Sequence, residues 1–166
     1  TMIIAGIITR GELTIQNINP LHMRQPIELI RQSGARLEIF EDSLFVDGSN
    51  EILPIDFETQ PYPAIPTDIQ AQLMVLNAIA EGDSKVTETI FENRFMHVLE
   101  LKKMGANIRI AGNTAEVRGV SRLNSAPVMA TDLRASAALI LAGLIADGET
   151  IIDRIYHLDR GYENLE

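Results

Sequence analysis

The sequence predicts an α+β fold made of repeated α/β units, with helices inside and sheets outside. Three observations predict it. First, one pattern is written three times: ITRGELTIQNIN at Ile8–Asn19, AEGDSKVTETIFENRF at Ala80–Phe95 and ADGETIIDRIYHLDR at Ala146–Arg160. Each copy has an apolar run, a Gly beside an acidic residue, a β-rich segment and a charged or polar corner. Second, the copies keep register. Gly11 precedes Gly82 by 71 residues and Gly148 follows it by 66. The first offset also sets Gly34-Ala35 on Gly105-Ala106 and Gly48 on Gly119; the second sets Arg94 on Arg160. Third, the apolar periodicity alternates between helical and strand-like stretches, so no copy can bury its helices alone and the copies must pack round a shared axis. A two-layer sandwich with accidental internal similarity is the competing architecture.

The elements follow in order. Met2–Thr9 reads as the last turns of a helix ending at Arg10-Gly11, where glycine accepts a left-handed cap. Glu12–Ile18 reads as a strand whose alternation breaks at Asn17. Leu21–Ser33 is helical, weakened by Pro26 and stopped by Gly34. Arg36–Phe40 and Ser43–Val46 form a hairpin through Glu41-Asp42. Gly48–Pro66 contains Pro54, Pro61, Pro63 and Pro66. It predicts a strand near Leu53–Glu58, then a rigid approach in which Tyr62 packs. Thr67–Ala80 is the clearest helix. Thr67 and Gln70 have the spacing of a capping box, and Ile69, Leu73, Leu76 and Ile79 mark an apolar face. Lys85–Ile90 predicts a strand and Phe95–Met104 a helix, with Met74, Met96 and Met104 as core filler. Asn107–Ile110 and Thr114–Val117 repeat the hairpin around Gly112-Asn113. Val120–Ala130 is a second linker. Thr131 caps the next helix with Asp132 at its first position, and Ala135–Ile145 is apolar enough to be buried on most sides. Glu149–Ile155 closes the third copy as a strand. The copies span roughly 1–48, 49–119 and 120–166. The chain begins with Thr and opens and closes inside repeat units, so it reads as a piece of a longer protein.

Composition narrows the chemistry. The chain has 166 residues, 46% of them hydrophobic, enough for a real core in one domain or two small ones. It has no cysteine, which excludes a disulfide scaffold, a thiolate metal site and a cysteine nucleophile within these residues. A net charge of −9 argues against a non-specific nucleic-acid surface. The longest apolar run, Ala137–Ala146, is too short to span a membrane, and no signal peptide is visible. His22, His97 and His157 show no metal spacing, and no metal or organic cofactor is expected.

Asp68 and Asp132 occupy equivalent places after a threonine at a helix start. They are either ordinary acids favoured by the helix dipole or two carboxylates that converge to manage protons. Arg94 and Arg160 are equivalent, while the first copy has Met23 there, so the fold does not demand the charge. They are either a clamp for carboxylate or phosphate or surface ion pairs with Glu92 and Asp159. Arg134, one turn into an apolar helix, is either paired with an acid or at a pocket edge.

Four stretches carry a family resemblance: YPAIPTDIQAQ at Tyr62–Gln72, TETIFENRFMHVLEL at Thr87–Leu101, MATDLRASAALILAG at Met129–Gly143 and DRIYHLDRGYENLE at Asp153–Glu166. The chain resembles the UDP-N-acetylglucosamine 1-carboxyvinyltransferases over nearly its whole length, and less closely the shikimate-pathway enolpyruvyl transferases. The resemblance implies an inside-out α/β barrel of βαβαββ-like units, about two and a half of them here. It implies transfer of enolpyruvate from phosphoenolpyruvate to the nucleotide sugar in cytoplasmic peptidoglycan synthesis. It also implies a second domain of the same polypeptide across a cleft, carrying a reactive cysteine and a lysine that this chain lacks. Asp68 then matches the proposed base at the sugar 3-hydroxyl, Asp132 an acid that moves a proton at the enolpyruvyl carbon, and Ile90 a residue whose backbone contacts substrate. Arg94, Arg134 and Arg160 match basic cleft residues, with Arg160 on the phosphoenolpyruvate carboxylate. Shikimate-pathway chemistry and a non-catalytic repeat domain remain the other expectations.

Overall fold

The stretch from Gln70 to Ala78 has the composition of a helix that must be hidden. In the computed structural model, which describes residues 1–163, it forms α3 (Gln70–Ala78), and every one of its residues is buried. Leu73, Met74, Val75 and Leu76 are almost fully excluded from water, each side chain contributing about 1.5–3 kcal/mol. The apolar face expected from spacing is therefore a whole apolar surround. Two other apolar helices, α1 (Met2–Ile8) and α5 (Leu133–Ile145), pack against α3 and against each other. These three equivalents of the repeat form the centre.

The strands lie outside that centre. In the first unit β1 (Glu12–Gln16), β2 (Arg36–Ile39) and β3 (Ser43–Asp47) make an antiparallel sheet ordered β1-β3-β2, with α2 (Arg24–Arg31) between β1 and β2. The middle unit repeats this with β5 (Asp83–Thr87), α4 (Met96–Lys103), β6 (Asn107–Ala111) and β7 (Thr114–Arg118). It adds β4 (Phe57–Glu58) parallel to β5, giving the order β4-β5-β7-β6. The third unit has only the first half: β9 (Pro127–Met129), α5 and β11 (Ile151–Asp153), with β9 parallel to β11. A second short parallel pair joins β8 (Leu123–Asn124) to β10 (Ala146–Asp147). Helices are inside and sheets outside, as expected. Among the described residues the strands form four separate sheets and no single closed barrel. No helix among these residues is long and apolar enough to cross a membrane.

Several elements differ from expectation for identifiable reasons. β1 stops at Gln16 because Asn17 turns into the left-handed region, φ 58°. The helix expected over Leu21–Ser33 begins as a 3₁₀ turn at Pro20–Met23, where Asn19 accepts from the Leu21 amide, and becomes α-helical only at Arg24. The strand expected over Leu53–Glu58 shrinks to Phe57–Glu58. Before it, the side chain of Asn77 takes both the N–H and the C=O of Ile55, at 2.9 and 2.8 Å, so that backbone pairs with a helix side chain and not with a strand. Tyr62 does not pack; it is 71% exposed beside a cis Tyr62–Pro63 bond. Met74 and Met104 fill the core, but Met96 is 54% exposed. The strand expected over Glu149–Ile155 is shorter, because Arg154 adopts φ 62° and a 3₁₀ turn, Ile155–Arg160, follows.

The repeated glycines at Gly48 and Gly119 are explained by close approach. A Cβ on Gly119 would lie 1.7 Å from the carbonyl oxygen of Ala80, and one on Gly48 would lie 2.6 Å from the carbonyl oxygen of Gly6 and from the Ile7 Cα. In the first and middle units the chain leaving the hairpin passes against the central helix end with no room for a side chain. We expect Gly119→Ala to lower stability by about 1–3 kcal/mol through overpacking. Gly143→Ala, inside α5 with only ordinary contacts to Thr150, should be neutral or stabilising by up to about 1 kcal/mol. Urea titration of both variants checks the contrast.

Candidate functional site

Asp132 has the extended backbone of an N-cap residue, φ −159° and ψ 178°, and begins α5 itself. Its Oδ1 accepts from the amides of Arg134 and Ala135 at 2.7 and 3.0 Å. The sequence placed Thr131 as the cap and Asp132 one position inside; the aspartate is the cap because its short carboxylate reaches back to those two amides. The helix start then aims Arg134 sideways. Its Nε donates to Asp68 Oδ1 at 2.7 Å, and its Nη2 lies 2.6 Å from the same oxygen. Of the two readings of Arg134, pairing with an acid is the one observed. One arginine thus holds Asp68 and is anchored by its own amide to Asp132.

Asp68 lies in a 3₁₀ turn, Thr67–Ile69, that leads into α3 and is preceded by Pro66 in extended conformation. The expected Thr67–Gln70 capping box does not form. Both side chains turn instead to Glu88, Thr67 Oγ1 donating at 2.9 Å and Gln70 Nε2 at 3.1 Å to Oε2. Glu88 is 3% exposed. Its other oxygen accepts from Thr59 Oγ1 at 2.8 Å, the Ile90 amide at 2.9 Å and the Phe91 amide at 3.1 Å. Burial raises its pKa, but the Ile90 amide, the Thr59 and Thr67 hydroxyls and the Phe91 amide outweigh burial and hold it below the ordinary value.

Beyond Glu88 the chain leaves β5 and forms the wall of an open cleft of about 840 Å³. Ile90, Phe91, Arg94, Met96, Leu99 and Ile110 line it. Arg94 does not pair with Glu92 among the described residues. Its guanidinium lies over the Phe91 ring, 4.2 Å from the centroid, which fixes its direction for about 0.5–1 kcal/mol. Arg160 ends the last 3₁₀ turn and is exposed, with no ion pair to Asp159 among the described residues. The turn packs on α5, and Gly161 passes so close to Leu133 that an added Cβ would sit 3.2 Å from its side chain. Arg160 is therefore the residue before the one that meets the start of α5. The structure brings Asp68, Asp132 and Arg134 together and joins Ile90 to the Thr67–Asp68 turn through Glu88; Arg94 rests on Phe91, and Arg160 is exposed on the turn packed against α5.

Two residues were not singled out by sequence reasoning. Glu88 was read as part of a strand over Lys85–Ile90. The signal was present: Ser84, Val86 and Glu88 alternate on the inward face, and an acid there needs partners. His97 was considered only as a metal ligand. It is 3% exposed on the first turn of α4, on the face of Leu101, and its Nε2 has no hydrogen-bond partner among the described residues. Burial lowers its pKa to about 4, against the opposing pull of the Asp132 charge and the Arg94 backbone.

Comparison with known proteins matches this chain over residues 1–166 to the family model described as EPSP synthase (3-phosphoshikimate 1-carboxyvinyltransferase). The chain is 56% identical to a UDP-N-acetylglucosamine 1-carboxyvinyltransferase of Desulfosudis oleivorans, over 100% of this chain and 40% of that protein. It is 55% identical to the protein of the same name in Xylella fastidiosa, over 100% of this chain and 39% of that one. The chain thus spans about two fifths of the length of the curated relatives it matches. Among solved structures, the enolpyruvyl transferase NikO from Streptomyces tendae superposes with a TM-score of 0.90 at 28% identity, over 99% of this chain and 39% of that one. An EPSP synthase of Acinetobacter baumannii superposes with a TM-score of 0.73 at 18% identity, over 96% of this chain and 41% of that one, a likeness of fold.

His97 generates a pH prediction. Its folded pKa is depressed, so below about 6.5 the unfolded chain takes a proton that the folded chain refuses until about pH 4. Stability should therefore fall as pH drops from 6.5 towards 4, by roughly 3 kcal/mol in all. Glu88 acts in the same direction but only below its ordinary carboxylate range, as the pH falls through its depressed pKa. Urea midpoints measured from pH 7.5 to 4.5 should show this slope, and His97→Gln should flatten it. An unchanged slope in the variant would mean that His97 is not held neutral.

Proposed function

The chain belongs to the EPSP synthase (3-phosphoshikimate 1-carboxyvinyltransferase) family, and on that premise we propose that it forms part of the catalytic domain of an enzyme transferring enolpyruvate from phosphoenolpyruvate to the 3-hydroxyl of UDP-N-acetylglucosamine. The identity to two proteins of that name supports the choice of acceptor. The observation that carries the chemistry is the joining of Asp68 and Asp132 by Arg134 at two helix starts; the cleft walled by Ile90 and Arg94 is lined by other residues and is tied to the Asp68 turn through Thr67 and Glu88.

The reaction needs a base, an acid and anion clamps. Asp68 takes the proton of the sugar hydroxyl, whose oxygen bonds to the central carbon of phosphoenolpyruvate. Asp132 delivers a proton to the terminal carbon in the same addition. Removal of a proton from that carbon then re-forms the double bond as phosphate leaves. Arg134 keeps Asp68 oriented. Because Asp68 is exposed while Arg134 is two-thirds covered, the carboxylate faces the solvent side from which a substrate arrives. Ile90 contributes backbone contacts to the nucleotide sugar and Arg94 a cation on the same wall. Arg160 binds the phosphoenolpyruvate carboxylate through its planar fork. The remaining wall of the cleft belongs to a second domain of the same polypeptide, and the copies 1–48, 49–119 and 120–166 are repeat units of the domain described. These soluble, charged substrates suit a cytoplasmic enzyme of peptidoglycan synthesis.

The complete polypeptide should release phosphate from phosphoenolpyruvate in the presence of UDP-N-acetylglucosamine and not of shikimate 3-phosphate; the reverse preference would overturn the proposed acceptor. Asp68→Asn should cut turnover by about 10²–10⁴-fold, the usual worth of positioned proton transfer. Its melting temperature should barely move, because the ion pair it loses is solvent-exposed and worth at most about 1 kcal/mol. Near-normal turnover would remove Asp68 from the mechanism. Arg160→Lys keeps the charge but loses the fork. One charge-assisted hydrogen bond is worth about 1.5–3 kcal/mol, so the phosphoenolpyruvate requirement should rise about tenfold or more. Titrated affinity for the nucleotide sugar should hold. Unaltered phosphoenolpyruvate dependence would return Arg160 to the surface.

A further inference from the structure

Glu88 joins two segments that the proposed reaction needs in fixed relation, and its carboxylate is buried among protein donors. Its five donors come from three places: Thr59 after β4, Thr67 and Gln70 at the start of α3, and the Ile90 and Phe91 amides in the cleft wall. Its backbone is held as well. Its N–H donates to the Asn113 carbonyl at 2.8 Å, and its C=O accepts from Asn113 Nδ2 at 3.1 Å, tying it to the β6–β7 turn. Thr59 is braced in turn, its hydroxyl accepting from the Thr89 amide at 2.9 Å.

All five groups donate to the carboxylate, and the Ile90 and Phe91 amides and the Gln70 Nε2 group can do nothing else. A protonated acid, or a glutamine, would need the Thr59 or Thr67 hydroxyl to turn and accept, at the loss of a bond the ionised acid receives. The corner itself does not require an acid. At the same place the first unit has Asn17 and the third has Arg154, 71 residues earlier and 66 later. Both turn the chain out of the strand with positive φ, 58° and 62°. Glu88 is absent from the residues with positive φ; here the chain is turned by bonds to a side chain. The unit that uses this device is also the one that contains Asp68, Ile90 and Arg94.

We propose that Glu88 is a positioning residue: its buried carboxylate fixes the Ile90–Arg94 wall against the Thr67–Asp68 turn and so sets where the sugar hydroxyl lies relative to its base. This rests on the enolpyruvyl-transfer reading above. The device explains why a flexible-looking polar loop, Glu92-Asn93-Arg94, can present a defined surface. The two amides just before it, those of Ile90 and Phe91, are clamped by an anion, and Arg94 is seated on Phe91.

The test uses the complete polypeptide with Glu88→Gln, which keeps shape but supplies donors, and Glu88→Asp, which keeps charge but is one methylene short. Each substrate is varied in turn, and amide hydrogen exchange is followed at Ile90, Phe91 and the interior of α3. We expect the KM for UDP-N-acetylglucosamine to rise about ten- to a hundredfold in both variants, as a misplaced contact would cause. The KM for phosphoenolpyruvate should change less than about threefold, since uniform damage would move both. Ile90 and Phe91 should exchange about tenfold faster or more while α3 stays protected. Variants that lose active protein and melting temperature together, with both KM values unchanged, would overturn the proposal, because that is the signature of a stability role. If the unsubstituted polypeptide does not use these substrates, the functional reading fails, and exchange alone decides Glu88. Acceleration confined to Ile90 and Phe91 upholds the clamp; acceleration throughout α3 overturns it.

Discussion

An all-round buried helix cannot leave its polar side chains to water, and α3 carries three of them: Gln70, Gln72 and Asn77. The surrounding architecture follows from how they are matched. Asn77 takes the backbone of Ile55 and draws the proline-rich connection onto the helix. Gln70 turns to Glu88 and draws the end of β5 to the helix start. The apolar residues between them are closed off by α1 and α5. Gln72 is matched least: its Nε2 reaches Thr1 Oγ1 at 3.5 Å and its Oε1 has no partner among the described residues, where an unmade buried bond costs about 1–3 kcal/mol. The polar groups of α3 thus specify which segments lie beside it, while its apolar groups supply the driving force.

The candidate site sits where the central helices begin, and the repeat explains why. The middle and third units each deliver a short segment from the outer strands to the start of an inner helix, where unpaired amides favour an acid. In the third unit Asp132 fills that place as a helix cap. In the middle unit Asp68 fills it without capping and is held by Arg134 across from α5. Two equivalent positions have therefore diverged in what their carboxylates do. One is committed to its own helix; the other is held by a side chain and exposed. Such a pair of differently placed acids is the arrangement that a reaction moving protons on and off one carbon can use.

The cleft wall shows the same division between fold and site. The middle hairpin turns at Gly112-Asn113 as a plain two-residue connection, and Asn113 then secures Glu88 from outside. Met96 and Leu99, on the exposed side of α4, belong to the cleft and not to the core. The α4 residues on the opposite face, His97, Val98 and Leu101, are buried. The helix is thus two-faced, with one side on the cleft and the other in the core.

The fold class was legible in the sequence because it depends on periodicity and glycine. The three glycine-anchored copies, the alternation of helical and strand patterns, and the hairpins at Arg36–Asp47 and Asn107–Arg118 all come from local rules that each segment obeys alone. The equivalence of position of Asp68 and Asp132, and of Arg94 and Arg160, was legible from the repeat; for Arg134 the sequence left an acid partner and a pocket edge both open, and the structure shows the acid. What tertiary structure decided was partner choice. Thr67 and Gln70 have capping-box spacing, but a buried carboxylate from the neighbouring strand end competes for both and wins, because an ion that has lost its water needs donors more than a helix start needs caps. Thr131 and Asp132 are both cap formers, and only the path of the chain from β9 into α5 selects the aspartate. Leu53–Ile55 has strand composition, yet Asn77 from α3 reaches it first. In each case the local pattern offers two satisfactory hydrogen-bond partners, and the choice depends on which group is brought within about 3 Å by packing far away in sequence.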